Sequence, residues 1–159
     1  MWCGISGVKV AISELTTNMI GDNSMIPVNP MGHIYTEISL QNATKNADTM
    51  MTVAALADTG SLMLCIPEHL RIQLDLEIIE TREVTLADGS NSTVPYVGPI
   101  RVQFEKRQCF VGALVLGDEV LLGAVPMEDM DLVLNPARQE VTVNPASPNI
   151  PHSRVKRAA

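Results

Sequence analysis

The feature that most constrains the fold is an alternation of apolar and polar residues with a period of two, which begins at residue 33. It is clearest where Ile34, Ile38 and Leu40 are separated by polar side chains. Alternation of this kind is typical of half-buried β-strands. Turn signals such as Asp88-Gly89 interrupt it every ten residues or so. The sequence therefore predicts an all-β fold with one or two short helices.

The same pattern sets the expected elements. A short helical turn is predicted at 67–72, with Pro67 as its first helical residue, and another at 126–130. Gly98-Pro99 is expected to end a strand, because proline cannot donate to a β-ladder. Strands are predicted at 34–40, 50–57, 62–66, 77–86, 93–97, 100–104, 109–116, 120–122, 132–134 and 141–143.

Composition shifts divide the chain into three parts. Residues 1–30 carry turn and linker sequence after one possible short strand at 8–12, and are expected to form an N-terminal extension outside the compact domain. Residues 31–145 are expected to form that domain. Residues 146–159 contain prolines and basic side chains, and are expected to be a flexible basic tail.

Composition and charge exclude several classes of function. Aromatic residues make up only 3% of the 159 residues, so the core must be aliphatic. The formal net charge is -7, and the tail holds Arg154, Lys156 and Arg157, so the remainder is more acidic than the whole. Since no basic stripe with interleaved aromatic residues exists, nucleic-acid binding is not expected.

The cysteines and histidines indicate neither a disulfide framework nor a metal site. Cys3, Cys65 and Cys109 form no Cys-x-x-Cys pair, and Cys65 with His69 lacks further ligands for zinc. Neither a basic leader nor an apolar run of about 20 residues is present. We therefore expect a cytoplasmic protein that does not bind membranes, and no metal or other cofactor.

One tripeptide stands out because of its position between two apolar runs. Asp58-Thr59-Gly60 follows the strand predicted at 50–57 and precedes the strand predicted at 62–66. A carboxylate held there lies near a packed core, where ionisation is costly. Gly60 allows a tight turn, and the Thr59 and Ser61 hydroxyls are possible donors to the carboxylate. An ordinary Asp-x-Gly turn is the other interpretation.

Together with later motifs, the tripeptide resembles the retropepsin-like aspartic peptidases, and the segment 122–130 looks most like their small single-domain bacterial members. Residues 56–61 look like the catalytic loop, and residues 121–123 (Leu-Leu-Gly) look like the motif that packs behind it. A hairpin at 87–90 lies where the family carries its flap, and a closing hairpin at 132–143 also fits. The resemblance covers about residues 31–145.

The resemblance implies a closed β-barrel monomer with a flap hairpin that forms a homodimer. Only one Asp-Thr-Gly is present, so each copy would supply one Asp58 to a catalytic dyad that hydrolyses peptide bonds. The resemblance further implies the roles of the other site residues. Thr59 and Gly60 complete the catalytic loop, the substrate-binding residues are Ser61, Ala87, Asp88, Gly89 and Ser90, and the supporting residues are Leu121, Leu122 and Gly123.

Ser61 carries a more specific hypothesis, because a hydroxyl donor to an ionised carboxylate lowers its pKa. We expect Ser61 to keep the dyad active towards acidic pH. The chain also departs from the viral pattern. The residues that form an Asp–Arg ion pair in retroviral enzymes correspond here to Leu62-Met63 and Ala124, so the homodimer is expected to be weak.

Two alternatives remain beside the peptidase. In the first, a retropepsin-like domain binds a peptide or partner chain without cleaving it, because an extended peptide can add to a sheet without any chemistry. In the second, the chain is an unrelated β domain with an Asp-Gly turn. Only the geometry around Asp58 can decide between them, because a fold does not fix a function.

Overall fold

A computed structural model describes residues 32–45 and 50–157 of the chain. The predicted N-terminal extension and its short strand lie outside these residues. Strands account for about half of the described residues. The elements in chain order are β1 Tyr35–Asn42, β2 Met51–Ala57, β3 Leu64–Ile66, α1 Glu68–Gln73, β4 Ile78–Thr85, β5 Asn91–Phe104, β6 Arg107–Val115, β7 Val120–Leu122, α2 Ala124–Asp129, β8 Leu132–Asn135 and β9 Glu140–Val143. The predicted all-β fold with two short helices is confirmed.

Six of these strands close into a barrel. They are hydrogen-bonded in the order β1-β2-β7-β3-β6-β5, and β5 pairs back to β1 through contacts such as Leu40 with Val102. The alternation places one face of every strand inside, where Ile38, Leu64 and Leu122 are almost fully buried. Mainly aliphatic side chains fill this interior, and Phe104 is buried among them.

Two of the barrel pairings are parallel and join strands that lie far apart in the sequence. β2 pairs with β7, with Ala57 opposite Leu122, and β3 pairs with β6, with Cys65 opposite Leu114. The β2–β7 pairing brings the end of the strand before Asp58 to the strand that precedes α2. The barrel thus positions two sequence motifs next to each other.

β4 stands outside the barrel as an edge strand and forms a hairpin with the first half of β5. The predicted turn at Asp88-Gly89 is confirmed: Leu86 N–H donates to the Ser90 carbonyl oxygen at 2.7 Å, and Gly89 has a φ of 84°. Asp88 Oδ1 accepts hydrogen bonds from the backbone N–H and the hydroxyl of Ser90. These bonds hold the pKa of the Asp88 carboxyl below its usual value.

Two details of the sequence prediction are wrong. Gly98-Pro99 does not end a strand, because β5 continues through it with a shift of register between Val97 and Ile100. That irregularity turns β5 from the hairpin into the barrel. Pro67 is the N-cap of α1, not its first helical residue, since its ψ of 155° is extended.

β8 and β9 form a separate two-stranded sheet after α2, paired from Leu132 opposite Val143 to Asn135 opposite Glu140. This confirms the predicted closing hairpin. Among the described residues, neither helix is long and apolar enough to cross a bilayer.

Candidate functional site

Asp58 lies directly after β2, and its loop is tied to β7. The Asp58 N–H donates to the Leu122 carbonyl oxygen at 3.1 Å, which continues the parallel pairing one residue past the strand. The Ser61 N–H donates to the Asp58 carbonyl oxygen at 3.2 Å, which closes a tight turn. The Asp58 side chain is half-buried, whereas Thr59 and Gly60 are exposed.

The Asp58 carboxylate is oriented by its own loop. Gly60 N–H donates to Asp58 Oδ1 at 2.8 Å. A Cβ atom at position 60 would stand 3.1 Å from the same oxygen, so a side chain there would crowd the carboxylate. Within the described part of the chain, no other titratable side chain forms an ion pair or hydrogen bond with Asp58. Among the described residues, the Asp58 carboxylate is therefore not paired with another titratable side chain.

The Ser61 hydroxyl is directed to the other side of the loop. Ser61 Oγ donates to the Met63 carbonyl oxygen at 3.1 Å and lies 3.7 Å from Cys65 Sγ. Donation from Ser61 to the Asp58 carboxylate stays a prediction, and it requires the hydroxyl to rotate away from Met63.

Cys65 lies beneath this loop and is close enough to Asp58 to respond to its charge. Burial raises the pKa of the Cys65 thiol, the Ser61 hydroxyl opposes that rise, and the negative charge of Asp58 adds to it. The Cys65 thiol therefore stays protonated beside the candidate site.

The Leu121-Leu122-Gly123 segment packs directly behind the loop. Ala124 N–H donates to the Ser61 carbonyl oxygen at 2.8 Å, and Val125 N–H donates to the Leu62 carbonyl oxygen at 3.0 Å. A Cβ atom at Gly123 would overlap the Met63 carbonyl group and lie 2.8 Å from the Ser61 oxygen. Glycine is thus needed at 123 for this close approach, and the two predicted motifs interlock.

The predicted flap residues Ala87, Asp88, Gly89 and Ser90 form the exposed tip of the β4–β5 hairpin. In the described residues, no hydrogen bond joins this tip to residues 58–63. The root of the hairpin, in contrast, contacts the site through a second group of apolar side chains outside the barrel.

We call this group the outer cluster, and the sequence alone did not identify it as part of the site. Its buried members are Cys65, Val94 and Leu114, and the half-buried side chains around them are Met63, Val84, Tyr96, Leu116 and Leu121. The pairings Tyr96–Leu114, Leu114–Cys65 and Cys65–Leu121 run straight across four strands. Because directly paired residues share a face, these side chains form one apolar surface from the hairpin to β7.

Tyr96 also fixes the root of the hairpin to the barrel. Its ring covers Gly112, where even a Cβ atom would overlap the phenol. On the other side, the Arg82 guanidinium carbon lies 3.5 Å from the ring centroid, and Arg82 Nε donates to Glu80 Oε1 at 2.6 Å. In the sequence, Glu80, Arg82 and Val84 alternate and therefore share one face of β4. Their position beside Tyr96 follows only from the pairing of β4 with β5.

The site consists of side chains and backbone groups. No group of three or more histidine, cysteine, aspartate or glutamate side chains comes together in residues 32–45 and 50–157 in a way that would hold a metal ion. The arrangement offers an oriented carboxylate close to an apolar surface that reaches the root of the hairpin.

Comparison of the chain with protein-family models and with curated protein sequences finds no match to either.

Proposed function

We propose that this protein is an aspartic endopeptidase of retropepsin-like type, which hydrolyses peptide bonds as a homodimer. The observation that carries the proposal is the interlocked loop at Asp58. Its backbone is bonded to Leu122 on one side, and its Ser61 and Leu62 carbonyl oxygens accept hydrogen bonds from the residues after Gly123 on the other. An ordinary Asp-x-Gly turn between two strands does not require a second chain segment packed so closely against it.

The chemistry requires a second carboxylate, because one group must activate water while another protonates the leaving group. Among the described residues, Asp58 is not paired with another titratable side chain, so a second copy would supply the partner. Two carboxylates that share a site cannot both ionise, and therefore one would be the base and the other the acid. The ionised Asp58 would take a proton from water, and the protonated one would polarise the substrate carbonyl.

The outer cluster would bind the substrate next to this dyad through its half-buried side chains. It extends from Leu121, which pairs with Leu56 just before Asp58, to Val84 and Tyr96 in the hairpin. An extended peptide lying between the hairpin and the loop would place apolar side chains against it. This favours substrates with aliphatic or aromatic residues at the cleavage site.

The decisive experiment is cleavage of a diverse peptide mixture between about pH 3 and 7, read by mass spectrometry. The native chain, Asp58→Asn and the exposed control Asp118→Asn would be compared. We expect cleavage by the native chain and by Asp118→Asn, and none by Asp58→Asn. Binding without cleavage by all three would instead favour a peptide-binding domain.

The shared site can be tested by mixing subunits. If each dimer needs two Asp58 side chains, an excess of Asp58→Asn chains would trap native chains in inactive heterodimers. We expect activity at a fixed native concentration to fall as the Asp58→Asn chain is added. Activity that stays constant would contradict a site built from two copies.

A further inference from the structure

The segment after β9, residues 144–157, is attached to the body through one carboxylate. Asp131 Oδ1 accepts a hydrogen bond from Asn144 Nδ2 at 2.9 Å, and Asp131 Oδ2 accepts one from the His152 N–H at 2.9 Å and another from the Ser147 hydroxyl. We call the exposed residues beyond this attachment, 152–157, the C-terminal arm. Its starting point is fixed at His152.

A buried cation reinforces the attachment. Arg107 is only 2% exposed, although arginine is rarely buried, and its Nη2 donates to the Ser147 carbonyl oxygen. The hydrogen bonds from Ser147, Asn144 and His152 lower the pKa of Asp131, and the charge of Arg107 adds to that shift. The segment is therefore held against the body at Asn144, Ser147 and His152.

The arm forms one wall of a cleft of about 620 Å³, and α2 forms much of the other. His152, Ser153 and Arg154 line it together with Val125, Glu128 and Asp129. The two sides carry opposite charge, since Lys156 and Arg157 follow Arg154 in the arm. Yet no ion pair joins Arg154 to Glu128 or Asp129 in the described part of the chain. The two sets of charges are complementary but remain unpaired within one copy.

The acidic wall adjoins the loop that carries Asp58. Val125, the second residue of α2, is hydrogen-bonded to Leu62, and both side chains are exposed, Leu62 at 66% and Val125 at 37%. A surface with an apolar centre and charges of both signs at its edge can match a second copy of itself across a two-fold axis. The acidic residues of each copy then meet the basic residues of the other.

We propose that the C-terminal arm of one copy docks on the acidic face of α2 in a second copy. This contact stabilises the homodimer that the proposed peptidase requires. The occupant of the cleft is thus the arm of a second copy of this chain, and the contact is electrostatic at the rim of the interface. This inference rests on the proposed function, because it concerns the same homodimer.

The experiment uses two charge-reversed full-length chains. In the first, the arm is acidic (Arg154→Glu, Lys156→Glu, Arg157→Glu), and in the second, α2 is basic (Glu128→Lys, Asp129→Lys). All five positions are exposed, so both chains should fold as the native chain does. Each alone brings like charges together, and we expect its dimer dissociation constant in sedimentation to rise about tenfold or more at low salt.

Mixing the two chains separates docking between copies from contact within one copy. In a mixed dimer both arms meet a helix of opposite charge, so we expect heterodimers with native affinity and a native loss of affinity in high salt. A chain with both reversals is the control and should dimerise normally. If mixing restores nothing, or if the single variants dimerise as tightly as the native chain, the arm does not dock on a second copy.

These outcomes differ from a failure of the proposed function. If the native chain dimerises and cleaves peptides through Asp58 but mixing restores nothing, the inference about the arm is wrong and the peptidase proposal stands. If the native chain is monomeric at every concentration and cleaves nothing, both are wrong.

Discussion

Replacing Gly123 by alanine tests the interlocked loop most directly. The backbone at Gly123 has a φ of -77° and a ψ of 179°, which any residue adopts easily. The added methyl group would nevertheless overlap the Met63 carbonyl group, with 2.7 Å to its carbon, and would lie 2.8 Å from the Ser61 oxygen. Both obstacles are backbone atoms, so no side chain can simply rotate away. The loop and β7 must separate.

The magnitude follows from what the separation costs. Overpacking a well-packed site typically costs about 1–3 kcal/mol of unfolding free energy. Two backbone hydrogen bonds, Ala124 N–H to Ser61 and Val125 N–H to Leu62, would lengthen or break, at about 0.5–1.5 kcal/mol each. We therefore expect Gly123→Ala to lower the free energy of unfolding by about 2–6 kcal/mol. This is a large share of the about 5–15 kcal/mol by which a typical domain is stable.

The measurement is urea unfolding followed by circular dichroism at a fixed chain concentration, because dimerisation would make the midpoint depend on concentration. Gly117→Ala is the matched control. Gly117 has no atom within 4 Å of an added Cβ but a φ of 77°, so alanine there meets backbone strain without a clash, at about 1–2 kcal/mol. If Gly123→Ala is no more destabilised than Gly117→Ala, the close packing behind Asp58 does not hold.

Three further predictions follow from other contacts. The pKa of Asp131 is about 2, below the usual carboxyl value, so the ionised Asp131 stabilises the folded chain above about pH 4, and this stabilisation is lost as pH falls towards 2. The difference in Tm between the native chain and Asp131→Asn should therefore shrink over that range. A constant difference would contradict this prediction. Burial raises the pKa of Cys109 to about 12 and that of Cys65 above its usual value; iodoacetamide at pH 8 should modify neither until urea unfolds the chain, as peptide mass spectrometry would show. If Ser61 donates to the dyad, Ser61→Ala should move the acidic limb of the pH–rate profile to higher pH, and an unmoved limb would leave Ser61 with only its bond to Met63.

The strands could be predicted from the sequence because each depends on local alternation. The β1 and β6 patterns and the Asp88-Gly89 turn are visible within a few residues. The path of the chain at Gly98-Pro99 was not, because glycine and proline signal an interruption without saying whether the strand ends or bends. Here β5 bends, since its two halves pair with different strands.

The candidate site could be predicted in part for a related reason. Asp58-Thr59-Gly60 and Leu121-Leu122-Gly123 are recognisable as motifs, but their contact depends on the parallel pairing of β2 with β7. Nothing in the spacing of 63 residues between Gly60 and Gly123 fixes that pairing. The outer cluster was missed because Val94 and Leu114 read as ordinary strand residues until the topology places them on one face.

The exposed side of the Asp58 loop lies between the proposed catalytic carboxylate and the helix on which the C-terminal arm is proposed to dock. The backbone of the loop is fixed by β7, yet Thr59 and Gly60 are exposed and Leu62 is 66% exposed. A single exposed leucine is common on protein surfaces, so Leu62 indicates a partner only together with its exposed neighbour Val125. Leu62 and Val125 alone cover only a small part of the about 800 Å² per partner that a stable interface buries. In the proposed dimer adjacent surface would have to take part, and the C-terminal arm is the adjacent segment whose charge is opposite to that of α2.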